Sequence, residues 1–261
     1  MAGILKKITD KANLKLLKAK NMIVVKKYVS EIKKLKDSFA GKRCFIIGNG
    51  PSLRPNDLDA LKKAGEICFA SNRVYHIYDK TSWRPDIYCV QDYKLICKSS
   101  DELNAIAAKH KFIGIVSFHK YPAVKGFIKL LLDTREFYPN RPEFSDDPTN
   151  RIYEGYTVTY MCIQIAAYLG FKEMVLLGVD HSYGKEKNPD GTVTHNSNTK
   201  DHFSEQDKAD NLPELFKSTL AYEAARDYVE KHGIKIFNAT RGGKLEVFER
   251  RTFEEIMEGK V

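Results

Sequence analysis

The sequence predicts an α/β fold: a Rossmann-like, mostly parallel sheet covered by helices, with a long lid loop and a basic N-terminal helical extension. Three observations carry that expectation. Short apolar runs alternate with helical segments from Gly41 onward, as in a sheet covered on both faces. Several of those runs end in a cluster of amide, hydroxyl or acidic residues. One long polar stretch, His181 to Pro213, follows the most apolar strand and breaks the alternation, which marks it as a lid.

The extension comes first, over residues 1–40. ILKKITDKANLKLLKAKNMIVVKKYVSEIKKLKDSF holds neither Pro nor Gly and is dense in lysine. Val25, Val29, Ile32 and Phe39 recur at spacings of four, three and seven, with Lys26, Lys27, Lys33 and Lys34 off that stripe. Such a helix packs its apolar face on the main domain; a compatible second reading lays it on the acidic inner-membrane surface. Residues 41–261 form the Rossmann-like main domain. RCFIIG reads as its first strand, LDALKKAG as a helix stopped by Gly65, and EICFASN as the second strand. DIYCVQD and KFIGIVSF follow as strands, with SSDELNAIAAKH helical between them. TVTYMCIQIAAYLG is apolar all round, hence a buried helix, with Gly170 as its stop. EMVLLGVD is a fully buried strand, and lid 181–213 comes next. ELFKSTLAYEAARDYVEKHG has Pro213 before it and Gly233 past its end, and IKIFNAT closes the series as a strand.

The 261 residues, 43% hydrophobic and 30% charged, fit a globular cytoplasmic protein rather than a disordered or membrane-spanning one. The formal charge of +9 points to an anionic partner. Nucleic acid is not expected, because the lysines gather in one helix without aromatic stacking partners. Five cysteines without a CxxC pair suit reduced thiols, Cys44, Cys68 and Cys89 being in or beside apolar runs. The longest early apolar run, Met22 to Val25, is too short for a signal peptide or a membrane span. Association with a second copy stays open.

Ligands of open α/β sheets bind beyond the carboxyl ends of the strands. The first strand there offers Gly48, Asn49, Gly50, Pro51 and Ser52; the second offers Ser71, Asn72 and Arg73; the third, Gln91 and Asp92. The central strand offers Asp180, His181, Ser182 and Tyr183, and the last Asn238, Thr240 and Arg241. Gly48 and Gly50 either let a ligand's phosphate or sugar approach backbone amides, with Asn49 adding a directed amide, or simply build a strand-to-helix turn. Neither G-x-G-x-x-G nor G-x-x-x-x-G-K-[ST] is present. Asp57 and Asp59 spell DxD, but they open a predicted helix, where acids commonly cap, so no metal site is expected. TRGGK is read as a turn. His76, His110, His119 and His232 are expected to be structural or solvated, whereas His181, His195 and His202 gather around the lid, where a base would act.

IIGNGPSL, the strand ending in SN, and GYTVTYMCIQIAAYLGFKEMVLLGVD resemble the bacterial sialyltransferases that cap lipooligosaccharides. The wider group, the hydroxymethylpterin diphosphokinase-like (MptE-like) domain proteins, includes motility accessory factor glycosyltransferases, and FNATRGGKLEVFERRTFEEI is more similar to that group. The resemblance spans roughly Gly41 to Arg250. It implies a Rossmann-like domain that uses a CMP-activated acidic sugar as donor and a glycan as acceptor, with no metal and no cofactor. It also implies that Asn49 and Asn72 contact the donor, that Thr157 binds it from the start of the buried helix, and that Tyr183 steadies the leaving phosphate. A lid histidine would deprotonate the acceptor: His202 is the match, with His181 as rival, because the spacing from His202 to the next strand exceeds the family's. Thr157 can also be a simple helix cap.

Three function classes follow. The leading one is a metal-independent glycosyltransferase of bacterial surface polysaccharide assembly. The second is a hydroxymethylpterin diphosphokinase with ATP and magnesium, the metal held by Asp92 and Asp180 at strand ends taken to be adjacent. The third is a nucleotide-binding relative without catalysis.

Overall fold

The computed structural model describes residues 2–196, 199–204 and 212–259, with side chains from Lys11 onward. Parts of the lid, 197–198 and 205–211, lie outside the described residues. Two helices open the chain, α1 (Ala2–Lys26) and α2 (Val29–Leu35), separated by a short turn. The strands of the domain are β1 (Arg43–Ile47), β2 (Cys68–Ser71), β3 (Ile87–Val90), β4 (His110–Ile115), β5 (Ile128–Asp133) and β6 (Ile152–Tyr153). β7 (Glu173–Leu177), the hairpin strands β8 (Lys185–Lys187) and β9 (Val193–His195), β10 (Lys235–Asn238) and β11 (Glu249–Arg250) follow. Between them run α3 (Pro55–Ala64), α4 (Tyr93–Lys98), α5 (Ser100–Ala105), α6 (Val158–Tyr168), α7 (Leu215–Lys231) and α8 (Phe253–Met257).

Apart from the hairpin, the described strands form one sheet in the order β11-β10-β7-β1-β2-β3-β4-β5-β6, every pair parallel. Both faces are covered, so successive residues of one strand enter different cores. Cys44 and Ile46 of β1 join Phe69, Met161, Ile163 and Phe171 under α6 and α7. Phe45 and Ile47 join Leu58, Leu61, Ile96 and Ile256 under α3, α4 and α8. That two-sided burial is why β1 and β7 read as uninterrupted apolar runs. Helix ends follow the sequence signals: Gly65 stops α3 at φ 70°, and Gly233 follows α7 at φ 61°. Cys44, Cys68, Cys89 and Cys162 are buried and free, and burial raises the thiols of the first three, Cys68 to about 12, which keeps them unreactive.

Several expectations change. β5, β6 and β11 join the sheet, and the lid is not structureless, since β8 and β9 pair antiparallel within it. The helix expected over SSDELNAIAAKH ends at Ala105, and His110 begins β4. The apolar stripe of the extension does pack on the domain. Val25 enters one core, while Ile32, Tyr28, Leu35 and Phe39 pack in the other. The turn between α1 and α2 is what lets one stripe serve two faces.

Candidate functional site

The chain direction across the sheet reverses at β1. β1 to β6 run one way from the centre, and β7, β10 and β11 lie on the other side. Ligands of open α/β sheets bind in the crevice at such a switch point, beyond the carboxyl ends of the strands. A cleft of about 840 Å³ opens there, lined by residues following β1, β2, β3, β4 and β7, the start of α6 and part of the lid.

The glycine loop is shaped by its neighbour strand. Gly48 N donates to Leu177 O at 2.8 Å and Gly50 N to Gly178 O at 2.9 Å. The Ser52 hydroxyl donates to Asp180 Oδ2 at 2.7 Å, and the Ser52 backbone N–H also bonds that carboxylate. A Cβ on Gly48 would overlap the Gly178 carbonyl, and one on Gly50 would overlap the Asp180 carboxylate. The glycines therefore permit β1 and β7 to close on each other. Of the two readings of Gly48 and Gly50, the turn is the one that holds: their amides are not offered to a phosphate, since Leu177 O and Gly178 O already accept from both. Pro51 and Ser52 fall outside the cleft lining, while Gly48, Asn49 and Gly50 are in it.

What the loop does present is an oxygen. Asn49 Nδ2 donates to Ser71 O at 3.0 Å, which fixes the amide and leaves buried Oδ1 without a protein partner. Gln91 repeats the arrangement: Nε2 donates to Glu154 O at 3.0 Å, and Oε1 is buried and unpartnered. Asn72, held at φ 49° with its carbonyl accepting from the Tyr88 hydroxyl, adds a third orphan oxygen, and the buried His119 Nδ1, a donor or an acceptor according to the ring's tautomer, is likewise unpartnered. These four residues follow β1, β2, β3 and β4, neighbours in the sheet. A buried acceptor without a donor costs about 1–3 kcal/mol, so the three amide oxygens call for O–H or N–H groups, from a ligand or from water. A phosphate oxygen would not satisfy them.

Thr157 caps α6, its side chain accepting from Thr159 N, and its hydroxyl lies 3.5 Å from the Tyr222 hydroxyl. The cap reading holds, and the residue also lines the cleft beside the positive end of the helix dipole. Asp92 likewise caps α4 through Leu95 N while lining the cleft. The lid folds back over the glycine loop: Phe203 N donates to Asn49 O at 3.0 Å, and Asp201 Oδ1 accepts from Gly184 N at 2.6 Å. His202 and Tyr183 enter the cleft with ring centres 6.0 Å apart. Burial lowers His202 below the ordinary imidazole value, with Asp201 opposing, and raises the Tyr183 phenol, which therefore stays a donor. His181 takes φ 53°, and its Nε2 lies 2.8 Å from Thr219 Oγ1. Thr219 already donates to Leu215 O, so Nε2 must be the donor and Nδ1 keeps the lone pair. Burial pushes His181 down to about 4. His195 sits exposed on the hairpin, outside the lining.

Other expectations fail on position. Arg241 does not face the cleft; it pairs with buried Asp57 and with Glu254, and covers the Phe253 ring. Asn238 donates to Leu245 O and Thr240 accepts from Val179 N, so both brace the loops. Asp59 accepts from Thr81, which ends the DxD reading. Asp92 and Asp180 are separated by β1 and β2, about 14 Å at ordinary strand spacing, and do not fit a shared cation. Among the described residues no group of three His, Cys, Asp or Glu is placed to hold a metal. The cleft also departs from the positive chain: Asp92, Glu136, Glu154, Asp180, Asp201 and Glu214 line it against Arg73 and Lys94. Glu154, half-buried and close to Asp92 and Glu136, is raised above the usual carboxyl value mainly by desolvation. Glu154 and His119 were missed. His119 directly follows the apolar run KFIGIVSF, so reading the end of that run would have found it; Glu154 directly follows β6, whose two residues gave no strand signal.

The family model for 6-hydroxymethylpterin diphosphokinase MptE-like proteins matches residues 18–186. The chain belongs to the MptE-like family. The matched region holds the glycine loop, all four unpartnered polar atoms and α6, so the cleft of this MptE-like protein is largely family territory. A solved structure, that of MAf glycosyltransferase from Magnetospirillum magneticum AMB-1, is 15% identical, with a TM-score of 0.49 over 86% of this chain and 37% of that one. The MptE-like chain thus spans little more than a third of that protein's length. No curated protein matches it.

Proposed function

We propose that this protein is a glycosyltransferase that needs no metal and moves a CMP-activated acidic sugar to a hydroxyl of a glycan acceptor at the bacterial surface-polysaccharide assembly site. One observation carries the reading: a switch-point cleft covered by a lid whose Phe203 amide is bonded to the glycine loop at Asn49. Such closure keeps water from an activated donor. Asn49 Oδ1 and Gln91 Oε1 suit the ribose hydroxyls or exocyclic amine of a nucleoside. The phosphate then belongs at the start of α6, with Thr157, Ser182 and the Tyr183 hydroxyl as donors to the charge that grows as it leaves. The sugar's acid group fits near Arg73, one of the two basic residues that line the cleft. His202 takes the acceptor's proton, and His181 Nδ1 is the alternative base.

Calorimetry with CMP in chelator tests this. Binding should persist, and Asn49→Ala should weaken it about tenfold, the effect of losing one buried hydrogen bond. Absence of any cytidine nucleotide binding would end the CMP-donor reading. The family's description keeps the diphosphokinase reading alive. In a thermal-shift panel of CMP, UDP, GDP and ATP, each with and without magnesium, a response to ATP only with magnesium would favour it. CMP binding without turnover of any donor would select a non-catalytic relative.

A further inference from the structure

We propose that the outward face of α1 docks on an acidic lipid surface. α1 has two apolar sides, and the fold uses only one. On the inner side Val25 is 3% exposed, and Asn21 Nδ2 donates to Ser117 O and His119 O, each at 2.8 Å. On the outer side Ala12, Leu16, Ala19 and Ile23 recur at spacings of four, three and four, which sets them in one line along the helix. Leu16 is 71% exposed and Ile23 59%. At 3.6 residues per turn, Lys15 and Lys26 border that line on one side and Lys20 on the other, all three exposed. No acidic residue occurs from Lys11 to Ser30.

An apolar line edged by lysines is complementary to a bilayer whose headgroups are anionic and whose interior accepts Leu and Ile. A second copy of the same face would oppose like charges across the apolar line. Nucleic acid would engage the lysines and leave Leu16 and Ile23 in water. No helix of the described residues is long and apolar enough to cross a membrane, so α1 lies on the surface. The docking also has a consequence for the site. Asn21 ties α1 to the loop bearing Phe118 and His119, both of which line the cleft, so a docked helix holds that rim beside the headgroups. This use, though not the docking itself, rests on the proposed transfer reaction.

The test is sedimentation of the full chain with vesicles of mixed phosphatidylglycerol and phosphatidylcholine, and with phosphatidylcholine alone. The chain should pellet with the mixed vesicles only. Leu16→Asp with Ile23→Asp should lower the vesicle affinity about tenfold or more, while circular dichroism and melting stay near wild type because both side chains are exposed. Lys15→Glu with Lys20→Glu and Lys26→Glu should abolish pelleting and provides a second reading should the first variant misfold. The proposal is overturned by no pelleting with mixed vesicles, or by unchanged pelleting of a folded double variant. It is equally overturned if sedimentation equilibrium shows a wild-type dimer that the Asp variants dissolve, since a second copy then covers the face.

Discussion

Gly48→Ala should destabilise the chain by about 3 kcal/mol or more, with loss of nucleotide binding in whatever fraction remains folded. Gly48 has no left-handed backbone to protect, so the cost is steric. The new Cβ would overlap Gly178 O and lie 2.8 Å from Gly178 C and 3.0 Å from a Val179 methyl. The first two are backbone atoms at the end of β7, which cannot swing aside as a side chain would. Relief requires β1 and β7 to separate at their carboxyl ends, which strains the Gly48 N to Leu177 O bond and moves Asn49 off Ser71 O. Gly65→Ala is the control. That position has φ 70° and open space around it, so it should lose only about 1 kcal/mol from backbone strain. Urea unfolding of the three proteins decides the matter. Equal losses in the two variants would mean that the approach of β1 to β7 does not require glycine.

This junction also shows what the sequence could and could not tell. The strands β1, β2, β3, β4, β7 and β10 were legible because burial on both faces forces near-continuous apolar runs. β5 was not: Lys129 interrupts it, and its burial alternates. β6 and β11 have two residues each, too few for any period to register. The location of the cleft was legible, since strand ends in a parallel sheet share one edge. The use of each residue there was not. GNGPS suits either a ligand or a close strand approach, and only the Gly178 and Asp180 contacts separate the two. Asp92 and Asp180 looked adjacent because strand order, which is a tertiary property, had to be assumed. Arg241 looked like a cleft residue until Asp57, far away in sequence, proved to be its partner.

Between pH 7.5 and 4.5, His181 alone should remove about 2–3 kcal/mol of stability. The ring is half-buried, edge-on to Tyr222 at 5.6 Å, and its Nε2–H is held by Thr219. Its folded pKa falls from 6.5 to about 4, chiefly through desolvation. As pH drops below 6.5, the unfolded chain binds a proton that the folded chain refuses, so the balance moves toward unfolding. The loss grows until the pH approaches 4, where the folded ring also protonates, and above 6.5 there is no effect. His202, lowered as well, acts in the same direction, and Asp180, raised by burial, acts oppositely. Comparison with His181→Asn cancels those shared contributions, and asparagine tolerates the positive φ that the position requires. The variant's stability should be flatter with pH by about 2–3 kcal/mol over the interval. Parallel stability curves, or an imidazole resonance of His181 titrating at 6 or above, would refute the neutral ring. They would also alter the choice of base, because a ring that never charges near neutral pH can take a proton only weakly, which leaves the stronger role to His202.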